Sequence, residues 1–284
     1  LNLSRNQISN VPQEMTNLKN LRWVKYDRNH LKEIPLSLCG IKSICRLYLN
    51  NNELTSIPDE IGNISCLAAL YLNENKLTIL PPGIGNLCHL HFIHLGLNRL
   101  SGLPKEIGKM TRLRDVILHN NKLTELPEEM GNLKHLDILN VALNQLRRLP
   151  DAFANLGALT KLFLDDNQFE VFPKVICSLK KLQLLNLSFN GITEVPPEIA
   201  QMEALKGLRL SGTKLTTLPP AVASLDLNYL GLQSTNVREL PVEFQKLRNV
   251  VDPYDITILS DDKTHMRDKI AQVIELLEEM RDTI

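Results

Sequence analysis

Leu67-Ala68-Ala69-Leu70-Tyr71-Leu72-Asn73-Glu74-Asn75-Lys76-Leu77-Thr78-Ile79-Leu80-Pro81 is one unit of a pattern that fills most of the chain. Side chains alternate along an extended segment, so Leu70 and Leu72 point to one side of a short strand while Ala69, Tyr71 and Asn73 point to the other. Outward from this unit, prolines recur at Pro12, Pro35, Pro58, Pro81, Pro104, Pro127, Pro150, Pro173, Pro196, Pro219 and Pro241; nine of the ten intervals are 23 residues and the last is 22. A second ladder runs in phase with them: Asn6, Asn29, Asn52, Asn75, Asn98, Asn121, Asn144, Asn167 and Asn190, then Thr213 and Thr235. Two ladders with one period predict stacked units that each contribute one strand to a parallel sheet.

The expected fold is an α/β solenoid of about 11 repeats, with the parallel sheet on its concave side. Each Asn follows a strand, where the chain turns away and leaves backbone groups without ladder partners that an amide bonds well. A continuous internal ladder is expected from Asn29 to Asn190, and Thr213 and Thr235, with fewer bonding groups, mark a less regular end. The return segments, as Pro58 to Ile64, carry Pro and Gly and predict short helical or 3₁₀ turns.

The repeat signature covers 1–247; beyond Leu247, Asp252-Pro253-Tyr254 punctuates a change. From Ser260, a candidate N-cap, Met266, Ile270, Val273, Ile274, Leu277 and Ile284 recur on one helical face. The segment 248–284 is therefore expected to hold an amphipathic helix that caps the last repeat, with a dimerisation helix, a partner helix or a linker as alternatives. Leu1 already lies inside a repeat, so an N-terminal cap is expected to precede it.

Acidic and basic residues balance at 32 each, which argues against a nucleic-acid or anionic-membrane footprint. Apolar runs are too short and too often broken to span a bilayer. Cys39, Cys45, Cys66, Cys88 and Cys177 are odd in number and scattered, which points to a reducing, cytoplasmic setting. The sequons at Asn2, Asn63 and Asn186 read as chance, because Asn2 and Asn186 fall on strands of the sheet.

No catalytic residue, metal or cofactor is expected. Gly102 and Gly108-Lys109 miss the phosphate-loop spacing, and Met110 stands where Ser or Thr is needed. His94 and His119 on adjacent strands, with Asp115 nearby, suggest a metal or acid–base pair, but they occupy ordinary variable positions. Cys45 has no base marked for it.

The register instead singles out a surface. Positions two, four and six after the leading apolar residue project from the concave side, and they place Trp23, Tyr48, Tyr71, Phe92, His94, Ile117, Ile138, Phe163 and Leu184 in one patch, with Lys25 and Arg46 at its rim. Solvent-facing strand positions have no structural need for such residues, and apolar patches rich in aromatics mark interaction sites. Arg5, Arg22, Lys25, Arg28 and Arg46 crowd the N-terminal end, whereas Asp165 and Asp166 lie toward the C-terminal half. A protein partner with an acidic region and an apolar centre is expected on this face.

The 23-residue unit, with Leu126-Pro127-Glu128-Glu129-Met130-Gly131-Asn132-Leu133 as a typical return segment, resembles the leucine-rich-repeat superfamily, and within it the cytosolic Ras-group proteins: Sur-8-type scaffolds, plant intracellular Ras-group proteins, and the Erbin and Scribble family. The resemblance implies a horseshoe-shaped scaffold whose concave face recruits signalling proteins, small GTPases and phosphatase subunits among them. Two alternatives accompany it: a regulatory repeat domain of a larger GTPase, kinase, phosphatase or cyclase, and a pathogen effector.

Overall fold

A computed structural model describes residues 1–240 and Phe244. Among the described residues, ten three-residue strands form a single parallel sheet in chain order, from β1 (Trp23–Lys25) and β2 (Arg46–Tyr48) through β3 (Ala69–Tyr71), β4 (Phe92–His94), β5 (Asp115–Ile117), β6 (Ile138–Asn140), β7 (Lys161–Phe163), β8 (Leu184–Asn186) and β9 (Gly207–Arg209) to β10 (Tyr229–Gly231). Eleven repeats thus give ten strands. The first repeat contributes only a bridge, Asn2 to Lys25. Register is strict: position two pairs with position two and four with four, as in Ala69 with Phe92 and Tyr71 with His94. The expected capping helix at 248–284 lies outside the described residues.

Strands so short hold together because each repeat buries the same positions. Leu70 and Leu72 and their equivalents in neighbouring repeats are fully buried, and they join one apolar core that runs from Val11 to Phe244. Among the described residues, return segments form five-residue 3₁₀ turns such as Asp59–Asn63 and Glu128–Asn132, except for one α-helical turn, Leu36–Cys39. Glycine serves close approach here: a Cβ on Gly108 would stand 2.4 Å from the Glu129 carbonyl oxygen of the next turn. That explains Gly108 without reference to phosphate.

The Asn ladder is continuous from Asn29 to Asn190, with every member buried. Asn121 shows its logic. Its Nδ2 donates to the carbonyls of Leu118 at 3.0 Å, His119 at 3.3 Å and, in the preceding repeat, Leu95 at 2.9 Å, while its Oδ1 accepts from the Leu100 N–H at 2.9 Å. Thr213 keeps one bond of this kind, to the Leu210 carbonyl at 2.6 Å. Thr213→Asn should therefore raise stability by about 1 kcal/mol, since an amide there would also reach Leu187 O and Ile192 N–H in the register of earlier repeats. Chemical denaturation checks this, and an unchanged or lowered midpoint would contradict it.

Candidate functional site

Face geometry follows from strict register: identical positions stack along the sheet, so a column of aromatic residues becomes a stack of rings. Tyr48 and Tyr71 stack with centroids 4.5 Å apart and planes 6° from parallel, and His94 meets Tyr71 edge-on at 4.9 Å. Lys25 Nζ lies 4.4 Å from the Tyr48 centroid and closes the N-terminal end of the stack. In the neighbouring column the Arg46 guanidinium sits 4.9 Å from the Trp23 ring. Each such contact contributes about 0.5–1 kcal/mol at an exposed site, enough to hold side chains in place before a partner arrives.

The patch does not expose its members equally. Trp23 is 54% exposed, and Lys25, Arg46, Tyr48, Tyr71, Phe92, Ile138, Phe163 and Leu184 are half-buried, but His94 at 7% and Ile117 at 8% are buried by their neighbours on the same face. The expectation of one unbroken solvent-facing patch is corrected accordingly: it has an aromatic, cation-edged part at β1 to β4 and an apolar part at β6 to β8, separated by a packed centre. Crowding of large side chains in adjacent strands at ~4.8 Å spacing is the cause.

That centre holds His94, Asp115 and His119, all buried. His119 lies two residues past β5, and its ring occupies the space over Gly96, where a Cβ would come within 2.3 Å of it. Burial, and then the charge of His94, hold the His119 imidazole down to about 4, and its Nδ1 has no hydrogen-bond partner. An imidazole kept neutral and packed edge-in suits a core position better than an acid–base pair. Among the described residues no group of three or more His, Cys, Asp or Glu is placed to hold a metal ion. Burial raises the Cys39 and Cys177 thiols to about 11, away from the range of a nucleophile.

The acidic pole also needs correction at one residue. Burial pushes Asp165 up to about 7, with the Asp166 charge adding to the rise, so at neutral pH this carboxyl is only partly ionised.

Two features escaped the pattern reading. At position six, Asp27 Oδ1 accepts from Asn50 N–H, Asn50 Oδ1 from Asn73 N–H and Asn73 Oδ1 from Gly96 N–H, each at 2.8 Å. This outer ladder braces the backbone beside the aromatic stack, and the Asp-Asn-Asn succession at 23-residue spacing was its signal. At position seven the backbone is left-handed in repeat after repeat, from Arg5 at φ 61° to Ser234 at φ 54°, and Gly212 with Asn51, Asn120 and Asp166 in that column was its signal.

A leucine-rich repeat region is matched over residues 104–188, and single leucine-rich repeats over 43–64 and 181–202. A leucine-rich-repeat protein of Leptospira interrogans is similar in structure, with a TM-score of 0.79 and 33% identity over 88% of this chain and 70% of that one. This chain belongs to the leucine-rich-repeat family. Its solenoid is also similar to the ectodomain of the Arabidopsis thaliana membrane receptor kinase GASSHO1/SCHENGEN3, solved in complex with CASPARIAN STRIP INTEGRITY FACTOR 2, with a TM-score of 0.61 and 31% identity over 81% of this chain but 31% of the receptor. An internalin of Listeria monocytogenes shares the fold at a TM-score of 0.55 and 19% identity, covering 87% of this chain and 83% of that one. No curated protein gives a significant match. Leucine-rich-repeat solenoids commonly serve as protein-interaction modules, and no helix among the described residues is long and apolar enough to cross a membrane.

Proposed function

We propose that this chain is a cytoplasmic scaffold that binds a signalling protein on the outer, concave face of its sheet between Trp23 and Leu184. One observation carries the reading: the Lys25-Tyr48-Tyr71-His94 stack with Arg46 over Trp23, a preorganised aromatic and cationic surface at strand positions that folding leaves free to vary. Rings and arginines fixed in this way lose little entropy on docking and dominate interface energetics where they occur. Half-buried Ile138, Phe163 and Leu184 supply the apolar second contact. The Ras-group resemblance favours a small GTPase or a phosphatase subunit as the occupant, and the five free cysteines favour a reducing compartment.

A second reading, an effector built on the same repeats, draws on the 33% identity to the Leptospira interrogans protein. Both readings use the same face.

The test is affinity capture with the intact chain beside a Tyr71→Ala, Phe92→Ala, Phe163→Glu variant, followed by titration of each captured GTPase or phosphatase subunit. Truncating rings at an interface centre commonly costs ~2 kcal/mol or more each, so a loss of at least a hundredfold in affinity is expected. Identical captured sets from equally folded proteins would remove the assignment.

A further inference from the structure

Several charges on this solenoid are matched from one repeat to the next. Glu53 lies between His30 and Lys76, one repeat away on either side, with contacts of 3.2 and 3.1 Å, and Lys174 meets Glu198 at 3.2 Å. Strict register makes such pairing easy, and it makes mismatches informative.

One mismatch stands out on the flank where the strands begin. Just before and after the leading apolar residue, three successive repeats carry His89 and His91, then Arg112 and Arg114, then His135 and Asp137, with Lys134 one residue farther out. All are exposed except His91 and Asp137, which are half-buried. Stacking at the strand spacing of ~4.8 Å puts His89, Arg112 and His135 in one column and His91, Arg114 and Asp137 in another, so basic side chains outnumber the one carboxylate beside them. His91 registers the crowding: burial first, then Arg114, Arg112 and His89, hold its imidazole below the usual range, and no carboxylate acts on it in the opposite sense. Among the described residues neither Arg112 nor Arg114 enters an ion pair. The carboxylate in that column, Asp137, accepts a hydrogen bond from the Thr160 hydroxyl of the following repeat, and Asp115 is buried on the outer face.

We infer that this flank is a second docking surface, built for a short acidic run in an extended polypeptide, whose carboxylates supply counter-charge to Arg112, Arg114 and Lys134 and accept hydrogen bonds from the flanking His89, His91 and His135. Two strand steps of ~4.8 Å make about 10 Å, the length of three or four extended residues at ~3.3 Å each. The cations are spread along a line and do not converge on one point, which suits successive side-chain carboxylates better than a single phosphate. Overall charge balance, 32 against 32, sets the flank apart from the broad basic footprint that nucleic acids require. The flank also runs into the outer face, since the His91 and Phe92 rings lie 6.2 Å apart, so an apolar residue next to the acidic run would meet Phe92. This surface does not depend on the outer face being the scaffold's main binding site.

Fluorescence anisotropy with a labelled peptide holding four consecutive Glu tests the assignment on the full chain. Arg112→Ser with Arg114→Ser should weaken binding at least about tenfold, while Lys180→Ser with Lys181→Ser, the same charge loss farther along the same flank, should change it less than about twofold. Binding should weaken between about 50 and about 300 mM salt, and vanish for the peptide with Gln in place of Glu. On saturation the His91 imidazole pKa, followed by NMR, should rise, because a carboxylate then faces it. Equal losses from the two double variants, an unmoved His91, or inorganic phosphate or a DNA oligonucleotide competing at equal charge concentration would overturn the proposal.

Discussion

Asn121→Ala is expected to lower the stability of the solenoid by about 4 kcal/mol. The substitution leaves the buried Leu100 N–H without its acceptor, at ~1–3 kcal/mol, and removes donors from the Leu118, His119 and Leu95 carbonyls, at ~0.5–1.5 kcal/mol for each bond. The damage is not local. Each repeat touches only its neighbours, so a break in a central repeat divides the array into two shorter ones that stabilise each other less. Asn121→Thr should lose about half as much, since Thr213 shows that a hydroxyl in this position still reaches the carbonyl three residues before it. Asn6, exposed at the first repeat and bonded only within its own turn, should tolerate alanine with a loss below ~1 kcal/mol. Chemical denaturation of the three variants measures the differences, and amide exchange at Leu100 reads the orphaned donor directly. A loss under ~1 kcal/mol for Asn121→Ala would mean that the ladder decorates a core which is stable without it.

This ladder was readable in the sequence because its chemistry admits few substitutes: a buried turn with both donors and acceptors to satisfy selects Asn, and period 23 displays the selection. The strands were readable for a related reason, since Leu70 and Leu72 alternate with Tyr71 and nothing else suits a half-buried pleat. The outer face was readable only in outline. Register places Tyr48, Tyr71 and His94 in one column, but whether a side chain in that column is exposed depends on the size of its neighbours in two other columns. Hence Trp23 is exposed, while Ile117 is covered although it occupies the same column as half-buried Tyr71. The ionisation of Asp165 was hidden for the same reason, because desolvation is a property of the packed surface and has no sequence period. Position seven was partly hidden by tolerance: Leu97, Leu143 and Phe189 adopt left-handed backbone there beside Asn51, Asn120, Asp166 and Gly212, which favour it, so residue type carried a broken signal.

His119 should make the solenoid acid-sensitive. Burial, assisted by His94, lowers its folded-state value from the ordinary 6.5 to about 4. Above pH 6.5 the ring is neutral in both folded and unfolded chains and has no effect. As pH falls toward 4 the unfolded chain takes up a proton that the folded one refuses, so stability is lost through that window and the loss is complete near pH 4. At ~1.4 kcal/mol per pH unit the full effect is roughly 3 kcal/mol. Asp165 works against it. Its folded-state value, raised from 3.8 to about 7, means that the folded chain holds a proton which the unfolded chain has released, so its contribution favours folding at low pH and fades as pH rises through the same range. Asp165 is half-buried whereas His119 is buried, so solvent screening makes the Asp165 share the smaller of the two. Wild-type stability should therefore fall on acidification with a shallow slope. In the Asp165→Asn variant the slope should steepen, because the opposing group is gone. In the His119→Gln variant it should flatten or reverse between pH 6.5 and 4. Denaturant midpoints at four or five pH values for the three proteins decide the matter: a wild-type slope that survives His119→Gln would show that the packed centre of the sheet accepts a charged imidazole, and would reopen His94 and His119 as a pair able to bind a proton in the folded state.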